Sequence, residues 1–579
     1  MKKGISFLLL ASMLASLVAG CSQSNDSSPA PESSSTAPVS SAAESSGSES
    51  AGGLSAEAGS FPLTDEKVEF SLMIQDSATV GPLDQNEFYK WYEEKTGVHI
   101  NFTEVPAAAM VEQVNLMLVS GDYPDMMMCC GASLGVTPSL EMLYGSQGVF
   151  LPLNSYIEKW GKETQEVFSL YSGQLPAAIT ATDGNIYSLP NINDCYHCTY
   201  TGKLWINQTW LDTLKLPAPT TTEEFREVLR AFKNNDPNGN GKADEIPIMG
   251  SKAYGSNGNP NLFLLNSFLY CPNSPDMLYV DDNGKVACAA TQPEYKDGLA
   301  YIRSLVEEGL LDASTYTQTG DQLKQFAIDP EGMKLGAYPH MTATNITDTI
   351  DNTPDQRTKN YGPLAPLKGP AGYQNTPITG QPYYSGYFII TSACENPELA
   401  FRWADGLYSE ECTLNSQIGM PDTGRIIPTE GSKGINGEPA LYQSIKIPAG
   451  TDNFVRAQNI TLARRTSDFR LAQYVDYSDP DYRIRDNEVR LFEATRDFYE
   501  PYAHAQNHLP DAYLTEEEAS EVAQLTSTVS SYIEEQMVLF ILGSRDLDTE
   551  WDSYLKEFDS MNLNRLLEIR QAAYDRQYK

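Results

Sequence analysis

Ten consecutive residues carry the most specific chemistry in the sequence: Asp236-Pro237-Asn238-Gly239-Asn240-Gly241-Lys242-Ala243-Asp244-Glu245. Side chains with oxygen atoms stand at positions 1, 3 and 5 of this run, a glycine at position 6 and a carboxylate at position 9, which is the pattern of a calcium-binding loop. The backbone carbonyl of Lys242 would supply the ligand at position 7. The spacing predicts a structural Ca²⁺ site whose ligands are Asp236, Asn238, Asn240, Lys242, Asp244 and Glu245.

The loop departs from an EF-hand at its twelfth position. Pro247 stands there in place of the usual bidentate glutamate, and Glu245 is the candidate replacement. Residues 246–248 have an extended pattern, so no second helix of a sensor pair is expected. We therefore predict a site that holds a loop in place at millimolar extracellular calcium, and not a calcium-triggered switch. The competing interpretation is an Asn-Gly turn without a metal.

A GxSxG motif raises the possibility of hydrolase chemistry. Gly131-Ala132-Ser133-Leu134-Gly135 matches the α/β-hydrolase pattern, in which the serine starts a helix directly. Here Thr137-Pro138 is the expected helix start, which leaves Ser133 in the preceding loop. His340, His504 and His508 are available as bases, but nothing in the sequence distinguishes one of them. We expect Ser133 to lie near a bound molecule and not to act as a nucleophile.

Cys195-Tyr196-His197-Cys198 is a CxxC motif, which occurs in redox pairs and in half zinc sites. No second CxxC, no suitable HxxxH and no thioredoxin-like context accompany it in the sequence. A local disulfide or a pair of buried thiols is therefore the favoured interpretation, with a metal or redox role as the alternative.

The N-terminus has the features of a secreted, lipid-anchored protein. Two lysines precede an apolar run over residues 5–17 that is too short for a mature transmembrane helix. The following Val18-Ala19-Gly20-Cys21 resembles a bacterial lipobox, in which the cysteine is lipidated, for example with palmitate. We expect residues 1–20 to be a signal peptide and Cys21 to carry acyl chains that hold the protein at a membrane. The alternative is an ordinary signal peptide with a chance cysteine.

The segment after Cys21 is a predicted tether. Residues 22–60 consist almost wholly of Ser, Ala, Gly, Glu and Pro, so they bury too little apolar surface to fold, and residues 21–60 are expected to be flexible.

The remaining chain is too long for one core, which predicts two or more lobes. The formal net charge of −37 disfavours nucleic acid and anionic lipid as partners, because both are polyanions. Membrane contact is expected through the lipid anchor only.

Strand and helix patterns alternate along the body of the chain. Strands are predicted at residues 67–75, 98–102 and 126–130, with helical patterns between them, and again at 185–189, 203–207 and 387–391. This alternation is typical of βαβ units with a largely parallel sheet. Thr221 and Glu224 match a capping box at the start of a helix, and the C-terminal portion is predicted to be helical.

Several segments together resemble the family 1 extracellular solute-binding lipoproteins, the substrate-capture components of ABC importers. The matching segments are the calcium loop, its approach at 204–211 and 219–225, the run Asp183-Gly184-Asn185-Ile186-Tyr187-Ser188-Leu189-Pro190, the helix start at 396–400, and residues 571–576. The similarity extends from about residue 61 to the end of the chain. It points to the long subgroup of this family that includes oligosaccharide and alginate binders.

This resemblance implies an α/β, two-lobed periplasmic-binding-protein-like fold (type II), with a multi-strand hinge and a helical C-terminal portion. Lobe one is expected to hold residues 61–190 plus 337–412, and lobe two residues 191–336 plus 413–579. The resemblance also supports the calcium ligands given above. It implies a non-enzymatic role, namely capture of a carbohydrate, expected to be an oligosaccharide, for delivery to ABC permease subunits. The protein is expected to be a monomer on the outer face of the cell membrane of a Gram-positive-type bacterium.

Candidate ligand-binding residues follow from the chemistry of sugars. Because sugars combine hydroxyl groups with flat apolar faces, their sites pair aromatic rings with planar polar side chains, and the 33 tyrosines suit this demand. In open α/β sheets ligands bind beyond the carboxyl ends of strands. The candidates selected near predicted strand ends and crossovers are Gln75, Asp125, Ser133, Tyr196, Tyr200, Tyr338, His340, Tyr383, Tyr384 and Tyr387. Arg464 and Arg465 are candidates for an acidic sugar, whereas Trp205 and Trp210 are assigned to the core.

Two other function classes are compatible with the sequence. A glycosidase or polysaccharide lyase would need two carboxylates at a defined separation, which sequence spacing does not reveal. A surface sensor or adhesin would bind glycans without delivering them to a permease. A peptide or a sugar acid is the alternative solute.

Overall fold

The computed structural model describes residues 55, 57–77, 80–129, 131, 135–171, 174–344, 357–380, 382–445, 454–479 and 486–579, with Ser256 and Glu516 described by their backbone alone. The predicted signal peptide, Cys21, most of the tether and Ser133 lie outside these residues.

The strands of the described residues are, in chain order, β1 Val68–Gln75, β2 Val98–Val105, β3 Met126–Met128, β4 Leu189–Asn193, β5 Leu204–Asn207, β6 Leu278–Val280, β7 Val286–Cys288, β8 Ala337–Pro339, β9 Tyr361–Leu364, β10 Tyr383–Ile390, β11 Arg425–Ile426, β12 Gln443–Ser444 and β13 Arg464–Arg465.

The α-helices of the same residues are α1 Glu87–Thr96, α2 Met110–Ser120, α3 Pro138–Ser146, α4 Asn154–Trp160, α5 Lys162–Leu170, α6 Gln174–Ile179, α7 Tyr196–Thr199, α8 Gln208–Leu214, α9 Thr222–Asn234, α10 Pro260–Leu265, α11 Pro293–Glu307, α12 Gly320–Ala327, α13 Pro397–Leu407, α14 Glu410–Gln417, α15 Ser467–Leu471, α16 Asn487–Ala494, α17 Glu516–Ile541, α18 Trp551–Ser560 and α19 Leu563–Tyr578.

A six-stranded sheet forms the first α/β body, with the spatial order β13-β4-β10-β3-β1-β2. The pairs β1–β2, β1–β3 and β13–β4 are parallel, and β10 runs antiparallel to both of its neighbours. Helices cover both faces. Phe70, Leu72 and Ile74 belong to one apolar cluster, while Met73 belongs to another on the opposite face. The predicted strands and their alternation are therefore confirmed for β1, β2 and β3.

The second body is built on the three-stranded sheet β8-β5-β9, in which both pairings are antiparallel. The prediction of a largely parallel sheet is wrong for this body, because β8 and β9 both return alongside β5 in the opposite direction. Its core includes Trp205, Trp210 and Tyr338, all fully buried, so the core assignment of the two tryptophans is confirmed. The C-terminal helices α17, α18 and α19 contribute to the same core, as the helical prediction requires.

Two crossovers join described strands of the two sheets. The first crossover runs from β4 to β5 and contains α7, and the second runs from β9 to β10. These two crossovers pair with each other through a bridge between Tyr200 and Ile378, with hydrogen bonds from Thr201 N to Pro377 O (3.1 Å) and from Thr379 N to Thr199 O (2.8 Å).

The strand pairing differs from the lobe boundaries expected from the sequence. Residues 337–412 were expected in lobe one, but β8 and β9 pair with β5 in the second sheet. Residues 413–579 were expected in lobe two, but β13 pairs with β4 in the first sheet. The reason is that short strands of two to four residues carry no indication in their own sequence of which sheet they join.

Within the described residues, no helix combines the length and apolar character that crossing a bilayer requires.

Local sequence rules account for the start of α9. The Thr221 side chain accepts a hydrogen bond from Glu224 N (3.1 Å), and the Glu224 carboxylate accepts one from Thr221 N (3.3 Å), which completes the predicted capping box. The helix then buries Phe225, Leu229 and Phe232 in the core of the second body.

Replacing Thr221 with Ala should lower the free energy of unfolding by about 1 kcal/mol, because the first turn of α9 loses its side-chain acceptor. Urea denaturation followed by circular dichroism measures this change. Thr528→Ala, within α17 and exposed, is the matched control and should leave the midpoint unchanged or slightly higher, since alanine is the better helix former. Equal midpoints for Thr221→Ala and the unmodified protein would contradict the assigned role of the cap.

Candidate functional site

A cleft of about 510 Å³ opens at the edge of the first sheet. The register of β1 and β3 brings their carboxyl ends to this edge, and β10, running the other way, begins there. Ligands bind at this edge in open α/β sheets. The described lining residues are Gln75, Cys129, Gly131, Pro138, Ala178, Gly380, Tyr383, Tyr384, Ser385, Tyr387, Asn459, Asp511, Ala512 and Tyr513.

Four tyrosines give the cleft an aromatic character. Tyr383, Tyr384 and Tyr387 come from β10, whose register against β4 shifts between Tyr384 and Phe388. Such an irregularity re-aims the side chains beside it. Gly386 within it has φ +67°, a conformation that side-chain-bearing residues rarely adopt. Tyr384 remains 53% exposed, so a broad ring face is open to a bound molecule.

The second body also contributes to the cleft. Asp511, Ala512 and Tyr513 precede α17 and reach the edge of the first sheet. The hydroxyl of Tyr513 donates to Ile179 O (3.0 Å), and its N–H donates to Gln577 Oε1 (2.8 Å). No sequence pattern pointed to these three residues, because their position depends on contacts between distant parts of the chain.

Four of the sequence-predicted ligand residues meet in this cleft, namely Gln75, Tyr383, Tyr384 and Tyr387. The hydroxyl of Tyr387 donates to Asn459 O (2.8 Å), which fixes the ring against the floor of the cleft. Ser133 belongs to the undescribed residues 132–134, between Gly131, which lines the cleft, and Gly135. Its expected contact with a ligand stays a prediction.

Three other candidates lie away from the cleft. Asp125 precedes β3, so it lies at the opposite edge of the sheet, where its carboxylate accepts hydrogen bonds from Ser71 N (2.7 Å) and Ser71 Oγ (2.6 Å). Tyr338 is fully buried and donates to Ala343 O (2.9 Å). The buried ring of His340 contacts the edge of Tyr254, and burial lowers its pKa. The rule that ligands bind beyond the carboxyl ends of strands in open α/β sheets therefore does not select these three positions correctly.

Tyr196 and Tyr200 form a separate aromatic pair at the first crossover. Their rings meet edge to face with centroids 5.5 Å apart. Both hydroxyls donate to Glu500, at 2.6 Å and 3.1 Å, which ties the crossover to the segment after α16. Neither residue is among those that line the cleft described above. Their role in ligand binding stays a prediction.

Arg464 and Arg465, the candidates for an acidic sugar, are occupied within the protein. Arg464 Nη1 lies 2.9 Å from a Glu166 carboxylate oxygen. Arg465 is buried and donates to Asn459 Oδ1 (2.6 Å), and burial lowers the pKa of its guanidinium to about 10. Neither guanidinium lines the cleft.

The CxxC motif forms a disulfide between Cys195 and Cys198, which is one of the two favoured interpretations of the motif. His197 lies between them, and the three side chains are close enough to share a metal ion. Because both sulfurs are joined to each other, they are not available as thiolate ligands. The buried amine of Lys203 donates to the carbonyls of His197 (2.7 Å) and Tyr200, which holds the end of α7 in place.

The calcium loop has the expected backbone geometry. Gly239 and Gly241 have φ of +72° and +75°, which favours glycine at both positions. The Asp236 carboxylate accepts hydrogen bonds from Asn240 N (3.1 Å) and Gly241 N (3.0 Å), and the loop closes around it. Bridges at Ile246 and Ile248 show that the chain continues as an extended segment, which confirms that no sensor helix follows.

The side chains of this loop fit a calcium ion. The amide nitrogens of Asn238 and Asn240 both donate to the Asp244 carboxylate (3.1 Å each), which brings three of the expected ligand side chains together. Glu245 Oε1 is buried without a hydrogen-bond partner within the described residues. Burial and then the nearby carboxylates of Asp236 and Asp244 raise the pKa of Glu245, which marks an excess of negative charge. A hard divalent cation would bond the unpartnered oxygen of Glu245 and would neutralise the excess negative charge.

Two α/β bodies that share one cleft define the fold of a two-lobed solute-binding protein. The chain belongs to the bacterial extracellular solute-binding protein family, whose model matches residues 73–411. Over 531 residues it is 29% identical to the fructooligosaccharide ABC transporter substrate-binding protein FusA of Streptococcus pneumoniae serotype 4, which covers 90% of this chain and 92% of that protein. The polygalacturonan/rhamnogalacturonan-binding protein YtcQ of Bacillus subtilis is 23% identical over 60% of this chain and 64% of its own.

Solved structures agree with this assignment. The structure of FusA in complex with kestose matches with a TM-score of 0.70 and 27% identity, covering 88% of this chain and 99% of that chain. A FusA EF-hand mutant in complex with fructo-nystose also has a TM-score of 0.70, at 26% identity and with the same coverage. A solute-binding protein of Bifidobacterium longum infantis, described as HMO binding, shares the fold with a TM-score of 0.71 at 22% identity, over 88% of this chain and 99% of that one.

A buried carboxyl group stands behind the irregular part of β10. Glu141 Oε2 accepts a hydrogen bond from Ser188 Oγ (2.8 Å), which in turn accepts one from Gly386 N (3.0 Å). Glu141 Oε1 is buried without a hydrogen-bond partner in the described part of the chain. Burial raises the pKa of Glu141 to about 8, so the carboxyl group is neutral at pH 7.

The contribution of Glu141 to stability should therefore fall as pH rises from about 5 to about 8. Between the ordinary pKa of 4.5 and the folded value of about 8, the folded protein holds a proton that the unfolded chain has lost. Each pH unit in this window costs up to about 1.4 kcal/mol. Glutamine has nearly the same shape as glutamic acid but does not titrate. The melting temperature of Glu141→Gln relative to that of the unmodified protein should therefore increase from pH 5 to pH 8.

Glu112→Gln, an exposed change on α2, is the control for this measurement and should follow the unmodified protein at every pH. Parallel melting curves for Glu141→Gln and the unmodified protein across the range would show that Glu141 is ionised in the fold.

Proposed function

We propose that this protein is the solute-binding component of an ABC importer and that it captures an oligosaccharide in the cleft beside β10. The observation that carries the proposal is the exposed ring of Tyr384 in a cleft lined by four tyrosines and by Gln75, Asn459 and Asp511. Aromatic faces pack against the C–H faces of sugar rings, and amide and carboxylate groups bond hydroxyls. The relationship to FusA, whose name specifies fructooligosaccharide, supports the same class of solute.

Binding would use both bodies and no chemical step. Tyr384 and Gln75 come from the first body and Asp511 from the second, so a sugar held between them favours the arrangement in which the bodies approach each other. Glycoside hydrolysis usually needs a pair of carboxyl groups flanking the bond that breaks. Asp511 is the single carboxylate among the described lining residues, which supports capture and release of an unchanged solute.

The site of action follows from the N-terminal sequence. We place the mature protein on the outer face of the cell membrane of a Gram-positive-type bacterium, held by acyl chains on Cys21, including palmitate, and by the flexible segment that follows it. The family assignment to extracellular solute-binding proteins supports this location. ABC permease subunits are the proposed partners, and the protein acts as a monomer.

The loop over residues 236–245 would hold a structural Ca²⁺ ion. Asp236, Asn238, Asn240, Asp244 and Glu245 would supply side-chain oxygens and Lys242 its backbone carbonyl. The Lys242 side chain is turned away to Glu331 (2.7 Å), so its charge is compensated outside the site. The existence of an EF-hand mutant of FusA supports a related loop in that relative. The ion would supply charge neutralisation and would fix the loop.

Tyr384→Ala should weaken binding of an oligosaccharide about tenfold, because the sugar loses its open aromatic contact. Isothermal titration calorimetry against kestose and a panel of other oligosaccharides measures the dissociation constants. Tyr373→Ala, an exposed tyrosine that is not among the lining residues, is the matched control and should bind as the unmodified protein does. Chromatography of the recovered sugars should show them intact.

Loss of binding in the Tyr373→Ala variant, with Tyr384→Ala unaffected, would move the site away from this cleft. Shortened sugars after incubation would contradict the non-enzymatic role.

Removal of calcium should lower the melting temperature. At a Ca²⁺ concentration 100 times the dissociation constant, the ion would stabilise the fold by about 2.7 kcal/mol. Asp236→Ala and Asp244→Ala should melt earlier and show no further effect of EDTA. Asp559→Ala, an exposed acidic residue on α18, is the control and should keep the EDTA effect. A protein that contains no calcium by elemental analysis and melts alike with CaCl₂ and with EDTA would rule out the site.

A further inference from the structure

We propose that the cleft is built for uncharged oligosaccharides and discriminates against chains of uronic acids. This inference rests on the proposed function and specifies its substrate class. The related proteins described above include binders named for fructooligosaccharide and for polygalacturonan, and the second of these is a polymer of a sugar acid. Charge is therefore the property that separates the candidate solutes.

The described wall of the cleft offers no cation to a carboxylate. Its described lining residues include one carboxylic acid, Asp511, and no Lys, Arg or His. The undescribed residues that adjoin lining residues in the sequence, 130, 132–134 and 381, include no basic residue either. Recognition of carboxylates in proteins relies on Arg and Lys side chains, and these are missing from the described wall.

One buried guanidinium is hydrogen-bonded to a residue that lines the cleft. Arg465 donates to Oδ1 of Asn459 (2.6 Å) and is not itself among the described lining residues. Arg470, close to Arg465, donates to Asn193 Oδ1 (3.2 Å) and lies 3.4 Å from Glu488. Freeing Arg465 for a ligand would break a buried contact, and loss of one partner from such a contact is strongly unfavourable.

Asp511 favours the binding of neutral sugars and disfavours the binding of uronic acids. A neutral sugar presents hydroxyl groups, and an ionised carboxylate accepts strong hydrogen bonds from them. A uronic acid presents a second carboxylate to the same cleft, where like charges repel each other. The formal net charge of −37 adds a long-range repulsion that also slows the approach of an acidic chain. Asp511 is therefore the specificity-determining residue.

The test compares trisaccharides of equal length by calorimetry, using kestose, maltotriose and xylotriose against trigalacturonate. The unmodified protein should bind at least one neutral trisaccharide, and trigalacturonate at least about 100-fold more weakly. Asp511→Asn should weaken the neutral sugar about tenfold and reduce the discrimination against trigalacturonate. Asp552→Asn, an exposed change on α18, is the control and should alter neither affinity. Melting temperatures confirm that each variant is folded.

The possible results separate the two proposals. Trigalacturonate binding as tightly as or more tightly than every neutral trisaccharide would overturn the inference and leave carbohydrate capture standing. Absence of binding by all four sugars and by longer chains of each would overturn the proposed function itself. Neutral-sugar binding with unchanged discrimination in Asp511→Asn would remove Asp511 from its assigned role.

Discussion

The antiparallel insertion of β10 between β3 and β4 is the constraint on which the site depends. Because β10 runs antiparallel to β3 and pairs with it only from Phe388 onward, its first residues extend beyond the carboxyl end of β3, at the edge where β1 finishes, while Tyr383 and Tyr384 still pair with β4. Tyr383 and Tyr384 lie before the register shift and stay partly or largely exposed, whereas residues 386–390 are buried without interruption. The neutral Glu141 behind Ser188 and Gly386 supports this irregular backbone without placing a charge under it.

Features whose determinants lie within a few residues of one another were predictable from the sequence. The alternation in β1, the capping box of α9 and the disulfide of the CxxC motif all agree with the structure. The turn geometry of the loop at 236–245 follows from its glycines and from the acceptor side chain of Asp236. In each case the interacting groups are close along the chain, so their spacing determines the contact.

Features that depend on distant partners were not predictable. Nothing in β8 or β13 indicates the sheet that each joins, so the expected lobe boundaries differ from the observed pairing. Asp125 was selected although it precedes its strand and therefore lies at the amino edge. Tyr513 reaches the cleft through a contact with Ile179 that spans 334 residues, and no local pattern encodes such a separation. Burial and internal pairing likewise removed Arg464 and Arg465 from the set that faces a ligand.

The pairing of the two crossovers has a mechanical consequence. They are joined side by side at Tyr200 and Ile378, and the first is also stiffened by the Cys195–Cys198 link. Two backbone segments that are hydrogen-bonded side by side twist about their length less easily than they bend across their common plane. We therefore expect any motion of one body against the other to follow the direction in which the paired crossovers bend most easily. Such a motion would change the separation of Tyr384 and Asp511 along one path.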